Sequence, residues 1–512
     1  MRPAHRTKRA LLAAVFGCAV VAVSTAAERI NQEGRILGPV PVIADSTLFN
    51  TPEADAVVSA MQMFPINNPW NEDVSRLSIL PNSDAMIQQI MTDLLSTRRT
   101  LRAFFEMNFV LIPDDQPLTP IDFFNYPDES DPGPYPIPPN LPIETWPHET
   151  GALTLEEWQQ DINNDGGDRH AIIVQPGHGL IWETWLTRLA GTNWEASNGA
   201  KFDLNSDTLR PATWTSGDAA GLPMFPALPR YDECERGMVE HALRLVVKRT
   251  RQEFIYPARH YASSTPATST NVPAMGQRLR LKSTFVIPDN WTIEEKAVLR
   301  AFKKYGALVA DNGNFFSISV TPDDRWPANV FDHLSTISIT NFEVVRTTGP
   351  TEGPRSPNPP VAFAGNDQSS PFGTAVQLQG FVSFDPSNPP PAVIWQCAAG
   401  PGPVTFGDAA KTNTTATFSA PGSYTLMLNA DDGVHAVARD AVVITIVQSI
   451  VLTITQSGTN ATVTWLGGTA PFVLEATEEL SPPLWSTLIT TNAQTAIIPV
   501  SGKTGFYRVR GQ

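Results

Sequence analysis

A mainly β protein with some helix is the fold class this chain predicts: a β-rich, sandwich or jelly-roll-like N-terminal domain followed by two small β-sandwich modules. Three observations lead there. The 46 Pro and 33 Gly fall largely in clusters that interrupt helices and mark loops or edge strands. Runs such as VLTITQ and ATVTWLGG, after residue 450, alternate apolar and polar residues as half-buried strands do. Residues 45–346 form a different material, mixing strands, helices and long polar loops, and so read as a separate domain.

In chain order, Arg2, Arg6, Lys8 and Arg9 precede an apolar run from Ala10 to Val23 and the small residues Ser24 to Ala27, so residues 1–27 are expected to be a secretory signal. Ser83 to Leu95 is a candidate helix. AIIV at Ala171, RLRLKSTFVI at Arg278 and FFSISV at Phe315 read as strands. So does Met238 to Val247, where Val239, His241, Leu243, Leu245 and Val247 share a face at period two. Thr292 to Tyr305 predicts a helix: Thr292 and Glu295 have capping-box spacing, Val298, Leu299, Phe302 and Tyr305 supply the apolar stripe, and Gly306 stops it. GPTEGPRSPNPP has no apolar periodicity and reads as a linker over residues 347–360. Two β modules, 361–447 and 450–512, follow.

Composition excludes several functions. Without the four signal cations, 32 Lys and Arg face 51 Asp and Glu, a formal charge of −19. Such a surface repels phosphate backbones, so nucleic acid is not an expected partner. No segment has the roughly 20 continuous apolar residues of a membrane helix. Cys234 and Cys397 fall in different predicted domains, leaving no disulfide framework. HExxH, CxxC pairs, GxSxG and phosphate-binding glycine loops are all missing. DINNDGGD, from Asp161, begins like a calcium loop, but Ile172 stands where a bidentate carboxylate is needed, so no cofactor is expected and calcium is the alternative.

Candidate chemistry concentrates between residues 128 and 264. Five of the seven histidines after the signal, His148, His170, His178, His241 and His260, fall there, and His is the commonest proton-transfer group near neutral pH. His241 is read as either a satisfied core histidine or a group projecting from its strand into a pocket, with Arg244 on the opposite face. Asp203 to Glu233 reads as ordered loop carrying Arg210, Trp214, Asp218, Arg230, Tyr231 and Glu233. DESDPGPYPIPPN, at Asp128 to Asn140, places Glu129, Asp131 and Tyr135 on an extended proline-fixed path. PARHYASS, at Pro257 to Ser264, brings His260 and Tyr261 together in sequence, on opposite sides if the segment is extended.

Residues 361–447 resemble a polycystic-kidney-disease-type (PKD) immunoglobulin-like module, through VAFAGNDQ, VQLQGFVSFDPSNPP, the lone strand residue Trp395 and ATFSAPGSYTLMLNADDG. That resemblance implies a spacer or sugar-binding accessory of a secreted protein. FVLEATEELSPPLWSTL and FYRVR resemble short C-terminal β domains of Verrucomicrobia and Planctomycetes proteins, usually structural or sorting elements. NPWN, DESDPGPYPIP, GDRH, DLNS, AAGLP, RYDE, HALR, HYASS and ADNG, between residues 62 and 346, resemble together a family of secreted bacterial proteins with no assigned activity.

Export and accessory modules point to a secreted or surface protein whose partner is a polysaccharide or cell-surface glycan. As an enzyme it would be a glycoside hydrolase, with Asp131, Asp218 and Glu233 the candidates for the two carboxylates flanking a cleft. As a polysaccharide lyase, it would use Arg210 or Arg244 to neutralise a uronate while His241 or Tyr261 moves the proton. Tyr135, Trp214, Arg230, Tyr231 and His170 would help hold substrate. The alternative is a non-catalytic adhesion or carbohydrate-binding protein in which Trp194 and Trp214 stack on sugar rings.

Overall fold

A computed structural model describes residues 29–148, 150–164, 167–346, 358–448, 450–468, 470–500 and 505–511. The predicted signal and most of the predicted linker lie outside these residues. Strand accounts for 35% and helix for 14%, so the protein is mainly β. Between residues 29 and 346 the sheets are mixed, containing parallel pairs alongside antiparallel ones, where a jelly roll would be antiparallel throughout.

The largest sheet has six strands in the order Phe342–Val344, Arg278–Leu281, Ala307–Asn312, Leu243–Val247, Phe316–Val320, Leu101–Phe105. The helix Ile293–Lys304 packs against it, capped as expected by Thr292 and Glu295 and followed by Gly306 at φ +68°. Ser83–Asp93 is the second predicted helix. A five-stranded sheet runs Asn198–Asp203, Leu180–Trp185, Ala171–Gln175, Val110–Leu111, Thr47–Leu48. Its strand Ala171–Gln175 is apolar up to Val174 because both faces are covered: Ile172 and Val174 join the main core, while Ala171 and Ile173 join a second cluster with Tyr135 and Trp194.

Strand limits are where sequence reading fell short. Residues 238–242 form no strand, and pairing begins at Leu243, where the neighbour Ala307–Asn312 becomes available. Beyond residue 358 lie two further apolar clusters, and a small third one joins Met427 and Ala441 to Ile30 of the N-terminal hairpin. One surrounds Trp395, whose indole donates to the carbonyls of Lys411 and Thr412, and another surrounds Trp465 and Phe472. Both lie mainly among antiparallel strands, the first with one parallel pair, Gln368–Pro371 against residues 444–447. Cys234 is buried, Cys397 is exposed, and neither forms a disulfide.

Candidate functional site

The residues singled out from sequence fall into three groups. The first is a network on one face of the six-stranded sheet. A β-bulge between Leu245 and Val246 skips Ala310, so that Val246 pairs with Asp311 and places Asp311 on the same face as Arg244. Arg244 donates from Nε to Asp218 Oδ2 (2.9 Å), and from Nη2 to Asp218 Oδ1 (2.8 Å) and Asp311 Oδ2 (3.0 Å). Its Nη1 reaches Ser319 Oγ at 2.9 Å, and Ser319 donates in turn to Glu106 at 2.6 Å. Burial pushes Glu106 up to about 7, reinforced by the Glu144 charge and opposed by the Ser319 hydrogen bond. Burial likewise raises Asp311 to about 6, against the pull of Arg244.

His170 extends this network. Its Nδ1 lies 2.9 Å from Glu144 Oε2 and its Nε2 2.9 Å from the Gly217 carbonyl. Both partners only accept, so both ring nitrogens carry hydrogen. Burial alone would pull the imidazole down, but the Glu144 carboxylate outweighs it and His170 is pushed up to about 9. Nearby, Glu183 is fully buried and accepts from the Met224 and Phe225 amides at 2.9 Å, a clamp on the loop.

The second group surrounds Glu233. Arg230 Nη2 lies 3.2 Å and His241 Nε2 3.1 Å from its carboxylate, while His241 Nδ1 faces the Ala242 carbonyl at 2.8 Å. Burial would raise Glu233, yet the charges of Arg230 and His241 prevail and hold it down, to about 2. His241 is therefore a satisfied core histidine, 1% exposed. A hairpin over residues 29–37 covers this group, with Arg35 Nε 2.9 Å and Asn31 Nδ2 2.8 Å from the Glu240 carboxylate. Tyr231 begins a short helix, Tyr231–Glu235, where a loop was expected, and the Arg325 guanidinium lies 4.3 Å over its ring.

The third group is the more open one. Arg210 is buried, donating to Asp131, to the Glu129 carbonyl (2.8 Å) and to the Thr215 carbonyl (2.9 Å), and it lies over the Trp214 ring. Glu129 accepts from the Thr215 amide at 3.0 Å and faces His260 Nε2 at 3.9 Å. His260 is fixed through Nδ1, 2.7 Å from the Ala219 carbonyl. Gly221 lets the Trp214 carbonyl come close: at φ +68° a Cβ would sit 2.5 Å from that oxygen. The His260 and Tyr261 rings stack, 5.8 Å between centroids and 4° between planes. They share a side, contrary to the extended-segment expectation, because residues 260 and 261 belong to no strand. Glu129, Asp131, Trp214, His260 and Tyr261 all keep partial solvent exposure.

Several expectations are corrected by these contacts. Asp131, Asp218 and Glu233 do not share a cleft; each sits in a separate group with its own arginine. Arg210 and Arg244 are already neutralised by protein carboxylates, leaving neither free for a uronate. Tyr135 is 1% exposed, its hydroxyl pushed up by burial and donating to the Asp131 carbonyl, and Trp194 is a core residue. Asp161 is the left-handed cap of the helix Leu155–Gln160, while Asp165 and Gly166 of the calcium-like run lie outside the described residues. Among the described residues no group of three or more His, Cys, Asp or Glu is arranged to hold a metal. Glu106, Glu144 and Ser319 carried no sequence signal, whereas Asp311 lies in the ADNG segment.

No known family matches the chain, and no curated protein does. Among solved structures, the PKD domain of the KIAA 1837 protein is 20% identical, covering 19% of this chain and 92% of that one at TM-score 0.16. The PKD domain of human KIAA0319 is 19% identical, covering 22% and 100% at 0.16. Yersinia pseudotuberculosis adhesin InvE is 14% identical, covering 29% and 49% at 0.14. The chain thus has weak PKD-type structural neighbours, and likeness at this level carries no functional argument. No helix among the described residues is long and apolar enough to cross a membrane.

Proposed function

We propose that this chain is an extracellular carbohydrate-binding protein in which residues 45–346 hold the ligand and the two C-terminal β modules act as spacers. The observation that carries this reading is the open third group. Stacked His260 and Tyr261, half-buried Trp214 and the carboxylates of Glu129 and Asp131 offer aromatic faces and hydrogen-bond acceptors on loops tied down by Arg210 and Gly221. Sugar recognition uses this pairing, with C–H faces on aromatic rings and hydroxyls on fixed polar groups. Of the expected acid–base candidates, His241, Asp218 and Glu233 are buried and hydrogen-bonded by protein partners, which counts against catalysis by those three.

A hydrolase or lyase reading retains one specific observation, the carboxyls of Glu106 and Asp311, raised to about 7 and about 6 on the sheet face with Arg244 between them. One experiment separates the two. Purified chain incubated with a panel of insoluble polysaccharides should sediment with at least one and release neither new reducing ends nor unsaturated products. Turnover on any of them would replace binding by catalysis.

A further inference from the structure

Beside the open group lies a shallow surface cleft. Four segments distant in sequence meet there: Asn68 to Trp70, Asp203 to Arg210, Gly221 to Pro223, and Pro257 with Arg259. Its floor is apolar, contributed by Phe64, Trp70, Phe202 and Leu222. Polar groups line the rest. Asn68 accepts from the Trp70 amide (3.1 Å) and donates to Asp207 Oδ1 (2.8 Å), fixing one carboxylate at the wall. Asp203 Oδ1 accepts from the Asn205 amide at 2.8 Å. Arg259 uses Nε on the Arg210 carbonyl (2.8 Å).

Among the described residues, Nη1 and Nη2 of Arg259 and Oδ2 of the exposed Asp203 and Asp207 make no hydrogen bond to another protein group. The cleft therefore holds spare donors and spare acceptors above an apolar floor. Its charge is also informative. Arg210 is neutralised by Asp131, so two carboxylates face one uncompensated guanidinium, in a chain of formal charge −15. A polyanion would meet repulsion here. Hydroxyl groups, which both donate and accept, would satisfy both signs at once.

We propose that this cleft binds a neutral saccharide, one ring face on the apolar floor and its hydroxyls shared between Arg259 and the Asp203 and Asp207 carboxylates. The inference rests on the carbohydrate-binding reading and narrows its ligand class.

The test is calorimetric titration of the full chain with six-sugar oligomers of glucan, xylan and mannan, and with a hexagalacturonate. Arg259→Gln and Asp207→Asn are titrated in parallel, the latter preserving the acceptor for Asn68. At least one neutral oligomer should bind, with affinity little changed between about 0.05 and 0.5 M salt. Each substitution should weaken it by about tenfold, the cost of one hydrogen bond to a charged group, at unchanged melting temperature. If both variants bind like the parent, the cleft is not the site although the binding reading stands. Preference for hexagalacturonate, lost in salt, would overturn the neutral ligand class. Absence of binding to any of the four would sink the cleft and the reading together.

Discussion

Arg244 shows why residue type alone did not assign roles. Its guanidinium looked available to a ligand carboxylate, but Asp218, 26 residues away, and Asp311, 67 residues away, occupy it. Removing one partner from so buried a network leaves an uncompensated charge, so Arg244→Met should destabilise the N-terminal region by about 3–5 kcal/mol. A denaturant midpoint matching the parent would contradict that. Arg210 was misread for the same reason, its partner Asp131 lying 79 residues upstream. His260 and Tyr261 are the opposite case: both keep partial exposure, though their relative orientation was not foreseen. Because both side chains are only half-buried, His260→Ala with Tyr261→Ala should abolish retention on the glycan while shifting the melting temperature little. A large stability loss would assign the pair to the fold.

Among elements, legibility followed locality. The helix Ile293–Lys304 was readable because its cap, Thr292 with Glu295, and its stop, Gly306, lie within the segment itself. Thr292→Ala should accordingly cost about 1 kcal/mol in thermal or chemical unfolding. The strand Leu243–Val247 was readable but its start was not, since apolar alternation continues back to Val239 while the partner strand does not. The bulge that turns Asp311 toward Arg244 has no local signature at all, and with it most of the ionic network stayed hidden. The same holds for the hairpin over residues 29–37. It is held by Asn31 and Arg35 on Glu240 and by Lys304 on Glu33 at 2.7 Å, all contacts between distant segments. Glu240→Ala should therefore loosen the hairpin, and equal amide-exchange protection of residues 29–37 in parent and variant would show that it does not depend on Glu240.

At the scale of the molecule, the buried charges set a pH optimum. Glu106 and Asp311 have raised folded pKa values, about 7 and about 6, so the folded state holds extra protons above the unfolded carboxylate pKa of ~4, and stability falls as pH rises through ~4 to 7. His170, raised to about 9, adds stability below ~6.5 that is lost as pH approaches 9. Glu233, held near 2, contributes above ~4.3 and loses its contribution in stronger acid. The N-terminal region should thus be most heat-resistant at roughly pH 5, and Glu106→Gln should flatten the decline between pH 5 and 7. Melting temperatures that rise steadily from pH 5 to 9 would refute this balance. The wider claim is a division of labour, with ligand recognition on the loops of residues 45–346 and spacing by the β modules beyond 358. Amide hydrogen exchange of the full chain, with and without a saturating glycan that it retains, tests that claim most directly. Protection should appear in residues 203–221 and 257–261 and leave 361–447 and 451–511 unchanged, whereas protection confined to those modules would show that they bind the ligand and the N-terminal loops do not.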